Sequence, residues 1–379
     1  MPIDFPQARA CPYDPPPAYR ALNGSPLHRV TLPDGTGSWL VTGHAETRRL
    51  LADPRLSADR RRDGFPVVLR RTAAPAERPA FVFLDPPEHG HYRRMLTPEF
   101  TLRRFKDLRP LIERTVHDRL DAMLAAGPPA DLVRDFALPV TSIVICHLLG
   151  VPYDDHEFFQ DHSRRMLQAG SPEEAMSATG ALYKYMGELV ADPPDGLLAR
   201  LKDQLPGPEL VENALILLVA GHETTASTIA LGVIALLDHP AELAKLHKDP
   251  AGAVEEILRY TSVVDTSPAR IAVEDIEIAD VTIKAGEGVL FSTSMANRDP
   301  GVFDQPDRFD VARQARPQVA FGYGVHQCLG QNLARMELEL ALSALFRRIP
   351  ALRLDGAVED LPVHPATSIQ GVNALPVNW

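Results

Sequence analysis

The chain is poor in cysteine: Cys11, Cys146 and Cys328 are its only three in 379 residues. Three cysteines cannot build a disulfide framework, so a small stapled scaffold is excluded and a reducing, cytoplasmic setting is expected. Positive charge is also short. Thirty-nine Lys and Arg against 50 Asp and Glu leave a net charge of −11, which argues against a nucleic-acid partner and favours solubility. No uninterrupted run of about 18 apolar residues occurs. The opening Met1-Pro2-Ile3-Asp4-Phe5-Pro6 has neither a basic segment nor an apolar core, so no membrane attachment is expected. A Gly/Ser linker, a charge block and an internal repeat are absent too, and residues 1–379 are read as one domain.

What is present is ordinary for a globule with a sizeable core, 45% hydrophobic and 23% charged, with 35 prolines gathered near the N-terminus and between helices. Apolar spacing predicts helices over about 45–52, 84 onward, 102–124, 136–149, 154–168, 172–190, 209–238, 251–260 and 329–348. Residues 38–42 read as a strand. The alternation of Ile276, Ile278, Val281, Ile283, Val289 and Leu290 around Gly286 and Gly288 reads as a small antiparallel sheet. Residues 55–80, with Arg60, Arg61, Arg62, Gly64 and several prolines, read as a mobile loop. Mostly helix with minor β excludes a doubly wound parallel sheet. Cys146, inside Ile143-Val144-Ile145-Cys146, reads as a packing residue.

Two stretches carry chemistry. The first is Val319-Ala320-Phe321-Gly322-Tyr323-Gly324-Val325-His326-Gln327-Cys328-Leu329-Gly330. It puts a cysteine at the mouth of a helix, where free N–H groups and the positive dipole end favour thiolate. Gly322 and Gly324 permit a tight bulge before the sulfur, and Gly330 lets a flat object lie against the helix without meeting a Cβ. Such a thiolate suits an axial ligand to haem iron; Cys328 taken alone reads as a buried free thiol, and Phe321, the glycines and His326 in fixed register turn the reading to a ligand. The second is Ala220-Gly221-His222-Glu223-Thr224-Thr225, which sets an acid and two hydroxyls into the most apolar helix. An acid beside an alcohol in a buried setting suits proton delivery. Gly221 in mid-helix suggests a local opening, with close helix packing as the other reading. His222 has no assigned role. Glu256 and Arg259, three apart on one helix, can meet.

The first stretch resembles the haem-binding signature of the cytochrome P-450 family, F-G-x-G-x-H-x-C-x-G, at every fixed position. The resemblance runs from about Trp39 to Trp379, with four of the family's motifs in order. It implies the cytochrome P-450 fold, a triangular haem-thiolate prism that is mainly α with a minor antiparallel β part. The cofactor implied is haem b (iron protoporphyrin IX), with Cys328 as the metal ligand and Phe321, Gly322 and Ala220 beside the ring. His89, Arg93, Arg270 and His326 would hold its propionates, and Glu223 and Thr224 would organise proton delivery. Glu256, Arg259 and Arg308, the last from Pro306-Asp307-Arg308-Phe309, would form a structural triad locking the cysteine loop. Phe83, Ile216, Val219, Ala220, Thr266 and Ile369 would line a substrate pocket. The 55–80 loop would roof it, and helices 154–168 and 172–190 would form a lid.

The activity implied is a monooxygenase that inserts one atom of dioxygen into a small apolar substrate. Electrons would come from a ferredoxin and an NAD(P)H-dependent reductase. The wording of several segments is most similar to soluble actinobacterial members that tailor polyketides, macrolides or other secondary metabolites, and a monomer is expected. Arg94, Arg103, Arg104, Lys106, Arg335, Arg347 and Arg348 could steer an acidic donor; they read equally as solvated helix faces. A peroxide-driven hydroxylase is the alternative function, disfavoured by Glu223-Thr224. A non-catalytic haem protein is a third.

Overall fold

The computed structural model describes residues 3–22, 25–67, 79–266, 269–364 and 368–379; the stretch 68–78 of the expected roof loop lies outside them. The longest helix, Gly207–Asp238, is the hub. Helices Leu138–Leu149, Pro172–Ala191, Pro250–Thr261 and Gln331–Arg348 all pack against it. Its side chains from Ala226 through Leu236 are buried without a break, which is why the sequence there is apolar all round. The helix is long and apolar enough to cross a membrane by length and composition, yet most of that window is inside the protein.

Helix–helix distance is set by two glycines. A Cβ on Gly221 would lie 2.6 Å from the Ile145 side chain, and one on Gly232 would lie 3.0 Å from Ile257. Gly221 is therefore explained by close packing. The helix is unbroken around it. Helix starts follow local chemistry. Thr101, Ser171 and Asp249 accept hydrogen bonds from the amides of Arg104, Glu174 and Gly252, satisfying donors that the first turn leaves free.

The β part is mixed. A six-stranded sheet runs in the order Ile3–Asp4, Leu27–Thr31, Gly37–Val41, Gly288–Phe291, Ala269–Ala272, Leu56–Ser57. Ala269–Ala272 pairs antiparallel with Gly288–Phe291, as the alternation suggests, but Gly288–Phe291 also runs parallel to Gly37–Val41, with Trp39 opposite Val289. Ile3–Asp4 is parallel to Leu27–Thr31 as well. Each parallel pairing joins strands far apart in the chain, so alternation alone could not specify it. Smaller antiparallel sheets join Arg353–Leu354, Pro376–Asn378 and Ala130–Asp131, and Ile276–Ile278 with Val281–Ile283.

Candidate active site

The cysteine loop is built by its glycines. Gly322 and Gly324 adopt φ of 69° and 76°, a left-handed conformation costly for other residues. A Cβ on Gly324 would lie 2.6 Å from the Leu51 carbonyl oxygen. The turn closes with the Cys328 amide donating to the Phe321 carbonyl at 2.9 Å. The following helix begins at Gln331, with Gly330 as its N-cap, so Cys328 precedes the first turn and does not lie in it. Desolvation dominates the free thiol and raises its pKa, against the opposing pull of the Gly330 and Gln331 amides, Arg93 and Arg335. The helix-start effect expected to favour thiolate is present but outweighed. A coordinated metal would supply the missing stabilisation. Although so deep, Cys328 is exposed, and a Cβ on Gly322 or Gly330 would meet nothing within 4 Å. The sulfur and both glycines thus face one open niche, as a flat ligand requires.

A second open face lies on the hub helix. Ala220 is exposed, and Ile216, Leu217, Gly221 and Thr224 are half-buried, in a helix that is closed from Thr225 to Leu236. Ile216 and Leu217 of this i, i+4 stripe and the half-buried Ala320, Phe321 and Leu329 of the cysteine segment pack against one hydrophobic core. Thr224 Oγ1 donates to the Ala220 carbonyl at 2.8 Å. Glu223 is 7% exposed, with its Oε1 3.4 Å from Nε2 of the buried His222.

Between these parts sits a cluster of basic groups. His89 and His326 rings lie 4.1 Å apart, and Arg93 donates to the Gln327 carbonyl at 2.7 Å. Burial, then Arg93 and Arg270, push the His89 imidazole down to about 4. Burial, then Arg270, His89 and Arg93, push His326 down to about 3. Burial lowers the Arg270 guanidinium to about 10, with Asp85 the one opposing charge. Among the described residues, His89 Nε2 and His326 Nδ1 are buried without a hydrogen-bond partner. Buried donors rarely go unmatched. Four cationic or potentially cationic groups with two orphaned nitrogens are a donor set for paired carboxylates, and haem carries two propionates. Sulfur ligand, glycine-lined niche and cationic edge together fit an iron porphyrin.

Arg60 was missed. Its guanidinium lies 3.5 Å from the Phe83 ring centroid, and burial followed by Arg270 lowers it to about 10. In the sequence it is one of three consecutive arginines; Arg61 turns to Asp59 and Arg62 to Ser57. Of the expected pocket residues, Ile216 and Phe83 are half-buried, while Val219 is 3% exposed and packed in the core. Leu217 shares the open stripe in its place. Thr266 is buried with φ of 65°, and Ile369 bridges to Val264.

The triad needs one correction. Glu256 and Arg259, both fully buried, form a two-pronged pair at 2.7 and 2.8 Å. Arg308 contributes only its carbonyl oxygen, and its side chain is exposed. The third side chain is Arg313, whose Nε donates to Glu256 at 3.3 Å. Of the proposed basic patch, Arg104, Arg335 and Arg348 are paired with Glu99, Glu255 and Asp121, which weakens its field.

Comparison with known proteins gives the family. The family model for Cytochrome P450 matches residues 192–254 and 250–352. The chain is 54% identical to Cytochrome P450 105A3 of Streptomyces carbophilus, over 99% of this chain and 95% of that one. It is 51% identical to pentalenic acid synthase of Streptomyces avermitilis, over 100% and 98%. The crystal structure of the mycinamicin VIII C21 methyl hydroxylase MycCI of Micromonospora griseorubida superposes with a TM-score of 0.94 at 40% identity, covering both chains fully.

Proposed function

The chain belongs to the cytochrome P450 family and is a haem-thiolate monooxygenase; from that premise we propose that it hydroxylates a small apolar secondary metabolite, of the polyketide or macrolide kind, with electrons from a ferredoxin and an NAD(P)H-dependent reductase. Haem b, when bound, supplies the activation of dioxygen. Cys328 would hold its iron through the sulfur, supplying electron density to it. His89, Arg93, Arg270 and His326 would anchor its propionates. Phe83, Ile216, Leu217, Thr266 and Ile369 hold the substrate. Thr224 already gives its proton to Ala220, so it can relay one only by accepting from a donor behind it, and Glu223 is the acid in reach along the helix. Glu256, Arg259 and Arg313 keep the segment before the cysteine loop in place. We read residues 1–379 as one monomeric, cytoplasmic domain.

The observation that carries this reading is the convergence of an exposed sulfur in a glycine-lined loop with buried, unmatched imidazole nitrogens. Relatives named as a pentalenic acid synthase and a mycinamicin VIII methyl hydroxylase support a secondary metabolite as substrate. The test is turnover of metabolites chosen by spectral shift, with ferredoxin, reductase, NAD(P)H and isotopically labelled dioxygen. One labelled oxygen in the product is expected. Equal turnover driven by peroxide alone would favour the alternative.

A further inference from the structure

His222 is fully buried, and its Nδ1 lies 2.7 Å from the Leu218 carbonyl oxygen. A carbonyl only accepts, so Nδ1 carries a proton. In the neutral ring that leaves Nε2 as a bare lone pair. Among the described residues Nε2 has no hydrogen-bond partner, and Glu223 Oε1 lies 3.4 Å from it. If Glu223 is a carboxylate and His222 is neutral, two acceptors confront each other in a closed site, which costs free energy with no compensating bond. One proton between Nε2 and Oε1 removes the conflict, whichever atom holds it.

The ring cannot turn away. Phe159 closes on it edge-on at 5.6 Å, and the Thr141 hydroxyl, 3.1 Å from the His222 carbonyl, ties the same turn to the neighbouring helix. The Ile145 contact of Gly221 fixes the helix there. His364 is also close enough to Glu223 for its imidazole to feel the carboxylate, with Nδ1 3.0 Å from the Ile369 carbonyl.

We propose that His222 and Glu223 form a dyad that stores one proton in the hub helix, and that His222 is the partner from which Glu223 draws it for delivery through Thr224. The balance is simple. Glu223 releases a proton toward Thr224 and becomes a carboxylate. The dyad, emptied of its one proton, takes up a single proton from solvent before the next release, so each cycle delivers one proton and restores one. His222 touches neither substrate nor cofactor and is a positioning residue. This inference rests on the reading of Glu223 as the relay acid.

Infrared difference spectra of the resting protein against Glu223→Gln provide the test. The wild type should show a carboxylic C=O band, or its loss to an imidazolium partner, that shifts in His222→Leu. The same variants should lose coupled turnover, by about tenfold or more for each single change. Reducing equivalents should go to peroxide, and the double variant should be no worse than either single one. An unshifted band with coupling retained in His222→Leu overturns the dyad while leaving the relay intact. Full coupling in Glu223→Gln overturns the relay reading itself. If His222→Leu does not fold, nitrogen-15 resonances of the wild-type histidine decide: a free lone-pair signal at Nε2 refutes the shared proton.

Discussion

Exchanging Arg313 for alanine tests the structural triad where structure and motif disagree. Glu256 accepts from Arg259 at 2.7 and 2.8 Å, from the Asp310 amide at 2.9 Å and from Arg313 at 3.3 Å. Arg313 also donates to the carbonyls of Asp304, Gln305 and Arg308. Those carbonyls sit in exposed chain and can turn to water, so most of their contribution is recovered. The contact to a wholly buried carboxylate is not. A hydrogen bond to a charged group is worth about 1.5–3 kcal/mol, and freeing the 304–310 segment adds a little more. Arg313→Ala should cost about 2–4 kcal/mol, a fall of several degrees in Tm. Arg308→Ala, an exposed change, should stay within about 0.5 kcal/mol. Arg313→Lys should restore little, because one ammonium cannot replace the fork. Thermal melts and haem-loss rates would measure all three. A larger loss in Arg308→Ala than in Arg313→Ala would refute the assignment.

Four further outcomes are expected. Gly324→Ala should cost about 1–3 kcal/mol and lower haem content, since its φ of 76° and the Leu51 carbonyl both oppose a Cβ. Gly330→Ala should leave the haem-free protein unchanged but weaken haem binding, measured by transfer to an acceptor. Thr224→Ala should keep haem and divert electrons to peroxide; peroxide assays showing full coupling would remove Thr224 from the relay. Stability of the haem-free protein should fall between about pH 6.5 and about pH 4. The folded state holds His89 neutral against burial, Arg93 and Arg270, with Asp85 opposing and His326 alongside, while the unfolded chain takes up the proton. Stability is complete above that window, and urea midpoints across it in wild type and His89→Gln would show the difference.

The cysteine loop was legible because its chemistry is local. Glycines at fixed spacing, a histidine and a cysteine before an apolar helix say most of what the backbone then does. The hub helix was legible for the same reason: complete burial needs an unbroken apolar run. What was not legible depends on partners distant in sequence. Nothing in Gly288–Phe291 announces a parallel neighbour at Gly37–Val41. Arg308 and Arg313 both follow the proline turn, and only the folded loop decides that Arg313 turns inward. Gly221 invited a functional explanation, but the Ile145 side chain across the helix interface is sufficient. His222 looked idle in the motif; its orphaned nitrogen shows only once the ring is boxed in.

The most direct measurement is the absorption of the reduced, carbon monoxide-bound protein in wild type and Cys328→Ser. A thiolate ligand at Cys328 gives the strongly red-shifted band in the wild type and none in the variant. The same red-shifted band in both would contradict the account.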